Sequence, residues 1–147
     1  MRTILDFIID WIWQLPQNLL GLCWKYITKS KITSVINNGD IKCVRAVCYL
    51  LKRYSGAVTL GKYMFVSERF TNIESVVRHE CGHVVQSRML GPLYLLVIGL
   101  PSILHAWMNG YLGCCKSSPD GYYHFYTERW ANRIMDGYHI TDLQEHN

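Results

Sequence analysis

From Met89 to Cys115 the chain runs for 27 residues without an Asp, Glu, Lys or Arg. A stretch of that kind does not lie over a water-facing surface: it is buried in a core or it meets lipid. Its length is enough for a bilayer span, yet Pro92, Gly99, Pro101, Asn109, Gly110 and Gly113 interrupt it. The expectation for residues 91–115 is a broken apolar segment that spans, re-enters or packs as a core hairpin. The composition leans the same way, with 18% charged residues in a chain of 147 against roughly a quarter in soluble domains. Half the chain is apolar, which excludes disorder and supplies one domain with a core of its own.

The N-terminal residues 1–30 read as an amphipathic helix kinked or divided at Pro16. Asp6, Asp10, Gln14, Gln17 and Asn18 step by three or four along one side, and Phe7, Ile8, Trp11, Ile12, Leu15, Leu19 and Leu22 fill the rest. The polar positions are expected to face water on a soluble domain, or a headgroup region if the helix lies in a membrane interface. Basic residues follow directly at Lys25, Lys29, Lys31, Lys42, Arg45, Lys52 and Arg53. Apolar helix, tryptophans and basic stretch together suit an anionic membrane surface. Nucleic-acid binding is not expected, because no reading motif accompanies the charge. The six cysteines show no C-x-x-C spacing and no disulfide framework; with no evident secretory leader they fit a reducing compartment. The expectation is a membrane-associated protein with its site on the cytoplasmic side, or alternatively a cytoplasmic one.

Short β-branched and aromatic runs over 32–66, punctuated by Asn37-Asn38-Gly39, Ser55-Gly56 and Gly61-Lys62, predict a small antiparallel sheet. The turns look too short for parallel crossovers. Thr71-x-x-Glu74 is a capping-box pattern, and Ile73, Val76, Val77 and Val84 follow it without a proline before Pro92, which predicts a helix over 72–90. Pro119-Asp120-Gly121 marks a turn, and residues 122–136 read as a last helix closed by Gly137.

Inside the 72–90 helix stands His79-Glu80-Cys81-Gly82-His83, an H-E-x-x-H pattern that chance yields about once in a hundred chains of this composition. Residues i and i+4 share a helix face, so two imidazoles can hold one tetrahedral Zn2+, with Glu80 beside them as general base for a metal-bound water. A third protein ligand is required from elsewhere. Glu128 is the choice, on a helix where Asn132 one turn later can orient an imidazole; His124, His105 and His139 are the rivals. His124 or a nearby Tyr can serve an oxyanion. Cys81 points away from the metal side as a packed thiol. Gly82, costly in a helix interior, marks a place where another backbone comes close, plausibly that of the ligand helix.

At these residues the chain resembles the gluzincin metallopeptidases, in which H-E-x-x-H is paired with a downstream Glu in an E-x-x-A-D-like segment; here the segments are His79–His83 and Glu128–Asn132. It is similar in this pairing to the prenyl-protein endopeptidases and the heat-shock membrane proteases. Residues 79–102 (HECGHVVQSRMLGPLYLLVIGLPS) with 126–132 (YTERWAN) resemble most closely a group of short bacterial membrane-associated proteins regarded as metallopeptidases. Asn132 stands where those families carry Asp, and an amide accepts an imidazole N–H without adding charge. The resemblance implies an α+β zincin-like domain and zinc-dependent hydrolysis of a peptide or protein substrate lying along an edge strand within 57–66. The reading from another class is a non-catalytic, membrane-associated zinc-binding protein, distinguished by a closed fourth coordination position; a membrane module without metal is the third.

Overall fold

The structure is a computed structural model that describes residues 4–38, 44–51, 56–70, 74–112, 124–136 and 143–145. The expectations placed on Thr71, His139 and the Pro119–Gly121 turn lie outside these residues. The architecture is α+β. Helix α1 (Ile4–Ile8) continues through a π-helical stretch, Ile9–Trp13, into α2 (Leu15–Thr28). Four strands follow, β1 (Lys31–Asn38), β2 (Val44–Leu51), β3 (Ala57–Leu60) and β4 (Tyr63–Ser67). Helix α3 (Glu74–Leu90) then turns through Gly91–Leu93 and Leu95–Gly99 into α4 (Leu100–Leu112). Helix α5 (Tyr126–Ile134) and a short β5 (Leu143–Glu145) complete the chain.

The sheet is mixed, not antiparallel as the short turns suggested. Its order is β3-β4-β2-β1-β5, with β2 and β4 parallel and every other pairing antiparallel. The link between the parallel strands is itself a strand. β3 runs out to the edge and turns back through Gly61-Lys62, and β4 drops into the gap beside β2, so two reversals restore the original direction. Gly61, at φ 64, supplies the left-handed first position that such two-residue hairpins favour. Burial explains which strand goes inside. Every residue of Tyr63–Ser67 is buried, and only an internal strand has both faces covered, whereas Ala57–Leu60 is mostly half-buried and suits an edge.

The two faces of the sheet carry separate cores, following the period-2 alternation of strands. Met64 and Ala46 pack against Val77, Cys81 and Val84 of α3 and against Met135. Tyr49, Leu51, Tyr63 and Phe65 face the other way, against Leu22 and Trp24 of α2. Tyr49 and Phe65 stack with ring centroids 5.3 Å apart.

The N-terminal helix is oriented opposite to the expectation for a soluble domain. Asp10, Gln14, Gln17 and Asn18 are buried, and the apolar positions Ile4, Phe7, Ile12, Leu19 and Leu20 are exposed. The polar side has partners inside the protein. Ser87 Oγ donates to Gln14 Oε1 (2.7 Å), and Gln17 Nε2 donates to Ser87 Oγ (3.1 Å) and to the Gly91 carbonyl (2.9 Å). The Lys62 backbone N–H donates to Asn18 Oδ1 (2.9 Å), and the Asp10 carboxylate lies 3.6 Å from Lys62 Nζ and 3.7 Å from Arg88. Periodicity defines two faces of a helix but not which medium each meets; here hydrogen bonds to Ser87, Gly91 and Lys62 hold the polar face in, with Gln14 Nε2 and Gln17 Oε1 left without a partner among the described residues.

After Leu90 the chain turns sharply. Gly91 adopts φ 53 under the indole of Trp13, Pro92 follows, and the helical segments Glu74–Leu93 and Leu95–Asn109 meet at 118°. Pro101 lies inside the continuous helical run that begins at Leu95; the π-helical stretch Leu95–Gly99 directly precedes it, and the Val97 carbonyl four residues before it accepts from the Tyr126 hydroxyl. Among the described residues no single helix is long and apolar enough to cross a membrane; this bent pair passes that test by length and composition only.

Candidate metal centre

Helix α3 places His79 and His83 one turn apart on the face turned toward α5, and α5 brings Glu128 over both. What allows the approach is Gly82. A Cβ there would lie 2.4 Å from the Ala131 carbonyl oxygen and 2.8 Å from its carbon, so the two ligand-bearing helices touch backbone to backbone, as the interior glycine suggested. Ala131 answers with the smallest side chain available, itself fully buried.

The Glu128 Oε2 lies 2.9 Å from His79 Nε2 and 3.3 Å from His83 Nε2. Ligands held at roughly 2.05 Å around a tetrahedral zinc stand about 3.3 Å apart; the two separations from Glu128 are close to that, and all three ligand atoms lie within 4.8 Å of one another. Hydrogen bonds outside the set orient both rings. His79 Nδ1 donates to Asn132 Oδ1 (2.7 Å) and His83 Nδ1 donates to Gln86 Oε1 (2.7 Å). With Nδ1 of each ring donating outward, Nε2 of each ring faces the same Glu128 carboxylate oxygen, where a metal ion or a proton can bridge them. His79, His83 and Glu128 could hold a metal ion.

In the metal-free protein a proton serves instead. Burial disfavours the charged His79, but its hydrogen bond to Glu128 and the nearby Glu80 charge outweigh that and raise its pKa. Burial likewise disfavours the charged Glu128, yet the hydrogen bonds from His79 and His83 hold its carboxyl far below the usual range.

Glu80 is buried on the cleft side, and Thr59 Oγ1 donates to its Oε2 at 2.6 Å. Thr59 belongs to the edge strand β3, on the face that covers α3. Tyr94 O–H donates to the Thr59 carbonyl (3.2 Å) and ties β3 to the turn beyond α3. Gln86 Nε2 donates to the Thr127 carbonyl (3.0 Å), and Thr127 Oγ1 donates to Glu128 Oε1 (3.0 Å), so each ligand rests on a further side chain. Thr59, Tyr94, Gln86 and Thr127 were not singled out from sequence. Only Gln86 had a signal there, since i+3 from His83 is the same helix face.

Cys81 is buried against the sheet; burial, with the Glu80 charge, pushes its thiol up to about 12, as fits a packed residue and not a ligand. The rivals for third ligand fall elsewhere. His124 is exposed, and His105 stacks on Phe125 with centroids 4.2 Å apart. The ligand group opens on a cleft of about 1100 Å³ bordered by β3, α3, α4 and α5. The edge strand is β3 alone, because β4 lies inside the sheet.

No family model, curated protein or solved structure matches the chain.

Proposed function

We propose that the protein is a zinc-dependent metallopeptidase of zincin-like fold in which Glu80 acts as general base. The observation that carries this reading is the convergence of His79, His83 and Glu128 on one point, with the Glu80 carboxylate beside them on an open cleft. When bound, zinc supplies Lewis acidity, which polarises a carbonyl and brings the pKa of a water toward about 7.

The chain's own residues do the rest. Glu80 accepts a proton from the attacking water and returns it to the leaving amine. Thr59 pins Oε2 of that carboxylate and so fixes the rotamer from which the transfer takes place. Asn132 and Gln86 hold the two imidazoles in the tautomer that leaves Nε2 free for the metal. A peptide adds to the open edge of β3 as a further strand, which brings a backbone carbonyl alongside Glu80. Tyr94 lines the cleft wall with its hydroxyl proton engaged by the Thr59 carbonyl, whereas His124 is exposed and does not border the cleft. An open cleft also favours catalysis over a purely structural zinc, which takes four protein ligands.

The deciding experiment is Glu80→Gln. The amide keeps the shape and the Thr59 contact but accepts no proton, so metal content and melting temperature should match wild type while cleavage of a peptide library disappears. Equal turnover by the two proteins would remove Glu80 from the chemistry.

A further inference from the structure

The surface formed by the N-terminal helix and α4 is reversed in polarity relative to a protein surrounded by water. On α1 and α2 the groups that prefer water are inside, with Asp10 only 3% exposed and Gln14, Gln17 and Asn18 at 0%. Ile4 is 82% exposed, Ile12 65% and Leu19 55%. The same division runs along the segment after the bend. Gly99, Ser102, Ile103, Ala106 and Asn109 line the cleft, while Leu96, Leu100, Leu104 and Trp107 look outward. The two apolar faces adjoin at the turn after α3, where the Trp13 indole lies on Gly91 and donates to the Arg88 carbonyl at 3.0 Å, beside exposed Met89 and Leu93.

We propose that the acyl region of a lipid bilayer covers this face. Such a face is expected where the surrounding medium is apolar and cannot satisfy polar groups, so that polar groups turn inward. Charge complementarity identifies the medium. From the N-terminal helix into the start of β1 the surface passes from the apolar Ile4–Leu20 end to Lys25, Lys29 and Lys31, with exposed Tyr26, Ile27 and Ile32 among them, and Lys29 and Lys31 are exposed. Apolar side chains followed by an aromatic residue and cations is the order met on crossing from acyl chains to anionic headgroups. Apolar burial, much larger in extent than the basic cluster, carries the attachment, and the lysines add a preference for anionic lipid.

The test needs no catalytic readout, so it stands or falls apart from the peptidase reading. Detergent-purified full-length protein is mixed with phosphatidylcholine vesicles and floated at about 0.5 M NaCl, where surface charge is screened. Wild type should float. The outward-facing Ile12→Glu/Leu19→Glu/Leu104→Glu variant should float at least about tenfold less, given the apolar area lost to charge. Lys25→Gln/Lys29→Gln/Lys31→Gln should still float and lose only the gain seen when phosphatidylglycerol is added at low salt. A measurement on wild type guards against a variant that fails to fold. Trp13 and Trp107 are 46% and 58% exposed on this face, so lipids brominated in the acyl chain should quench tryptophan fluorescence. Wild-type protein that neither floats nor is quenched overturns the proposal. So does a stable detergent-free dimer that the glutamate variant splits, which would make a second copy the occupant.

Discussion

Replacing Gly82 by Ala sets two effects of opposite sign against each other. In a helix interior Ala is favoured over Gly by about 1 kcal/mol, so an unconstrained α3 would gain stability. Here the new methyl would stand 2.4 Å from the Ala131 carbonyl oxygen, roughly 1 Å short of ordinary contact. The opposing atoms are backbone and cannot swing aside, so α3 and α5 must part by about that distance, at an overpacking cost of about 1–3 kcal/mol. The net expectation is a loss of up to about 2 kcal/mol, or a melting temperature lower by up to roughly 8 °C for a chain of this size. The same displacement moves Glu128 from both imidazoles. Metal sites tolerate about 0.2 Å, and zinc affinity should fall by roughly 10–100-fold, the loss typical when support around ligands is disturbed. Thermal unfolding of the metal-free protein and zinc titration against a chromophoric chelator measure the two effects separately. A Gly82→Ala protein that is more stable than wild type and binds zinc equally well would refute the backbone contact as the determinant of ligand spacing.

Elemental analysis should find about one zinc per chain, reduced by His79→Ala, His83→Ala or Glu128→Ala and unaffected by His124→Ala; the reverse outcome for Glu128 and His124 would reassign the third ligand. Thr59→Val should lower kcat about tenfold, the worth of one lost charge-assisted hydrogen bond, with zinc affinity unchanged and Thr59→Ser restoring the rate; a shift confined to KM would give Thr59 to substrate binding instead. In metal-free protein the raised His79 stabilises the fold below its unfolded value of roughly 6.5 and loses that contribution as pH rises through the folded value. The depressed Glu128 stabilises above roughly 4.3 and loses its contribution as pH falls. The melting temperature with chelator should therefore be highest near about pH 5–6 and fall on both sides, and Glu128→Gln should flatten the profile; a wild-type profile as flat as the variant's would count against the coupling.

The elements nearest the site were readable because their signals are local. H-E-x-x-H lies in the helix expected over 72–90, which the described residues show from Glu74 to Leu90, and the glycine inside it announced the helix that crosses it. What escaped depends on contacts distant in sequence. Nothing near Thr59 indicates a carboxylate twenty-one residues ahead, because the pairing arises only when the edge strand is laid across α3. The parallel β2–β4 pair was missed because short links were taken to join neighbours in space, whereas burial on both faces moved β4 inward past β3. The N-terminal pattern defines two faces without saying which side faces out, since its partners Lys62, Ser87 and Arg88 lie far along the chain.

That separation sets an order in time. Gln17 and Ser87 are 70 residues apart, and Trp13 and Arg88 are 75 apart. At about 5–20 residues per second, synthesis delivers the N-terminal helix some 4–14 s before its hydrogen-bond partners. During that interval the Gln14 and Gln17 side chains can be satisfied only by water, whereas Asn18 has the Asp10 carbonyl within its own helix and Lys62 emerges earlier; the Gln14 and Gln17 contacts wait until α3 has formed and turned at Gly91. In this protein the surface that joins the N-terminal helix to α3 is a polar one, and it closes by giving up water.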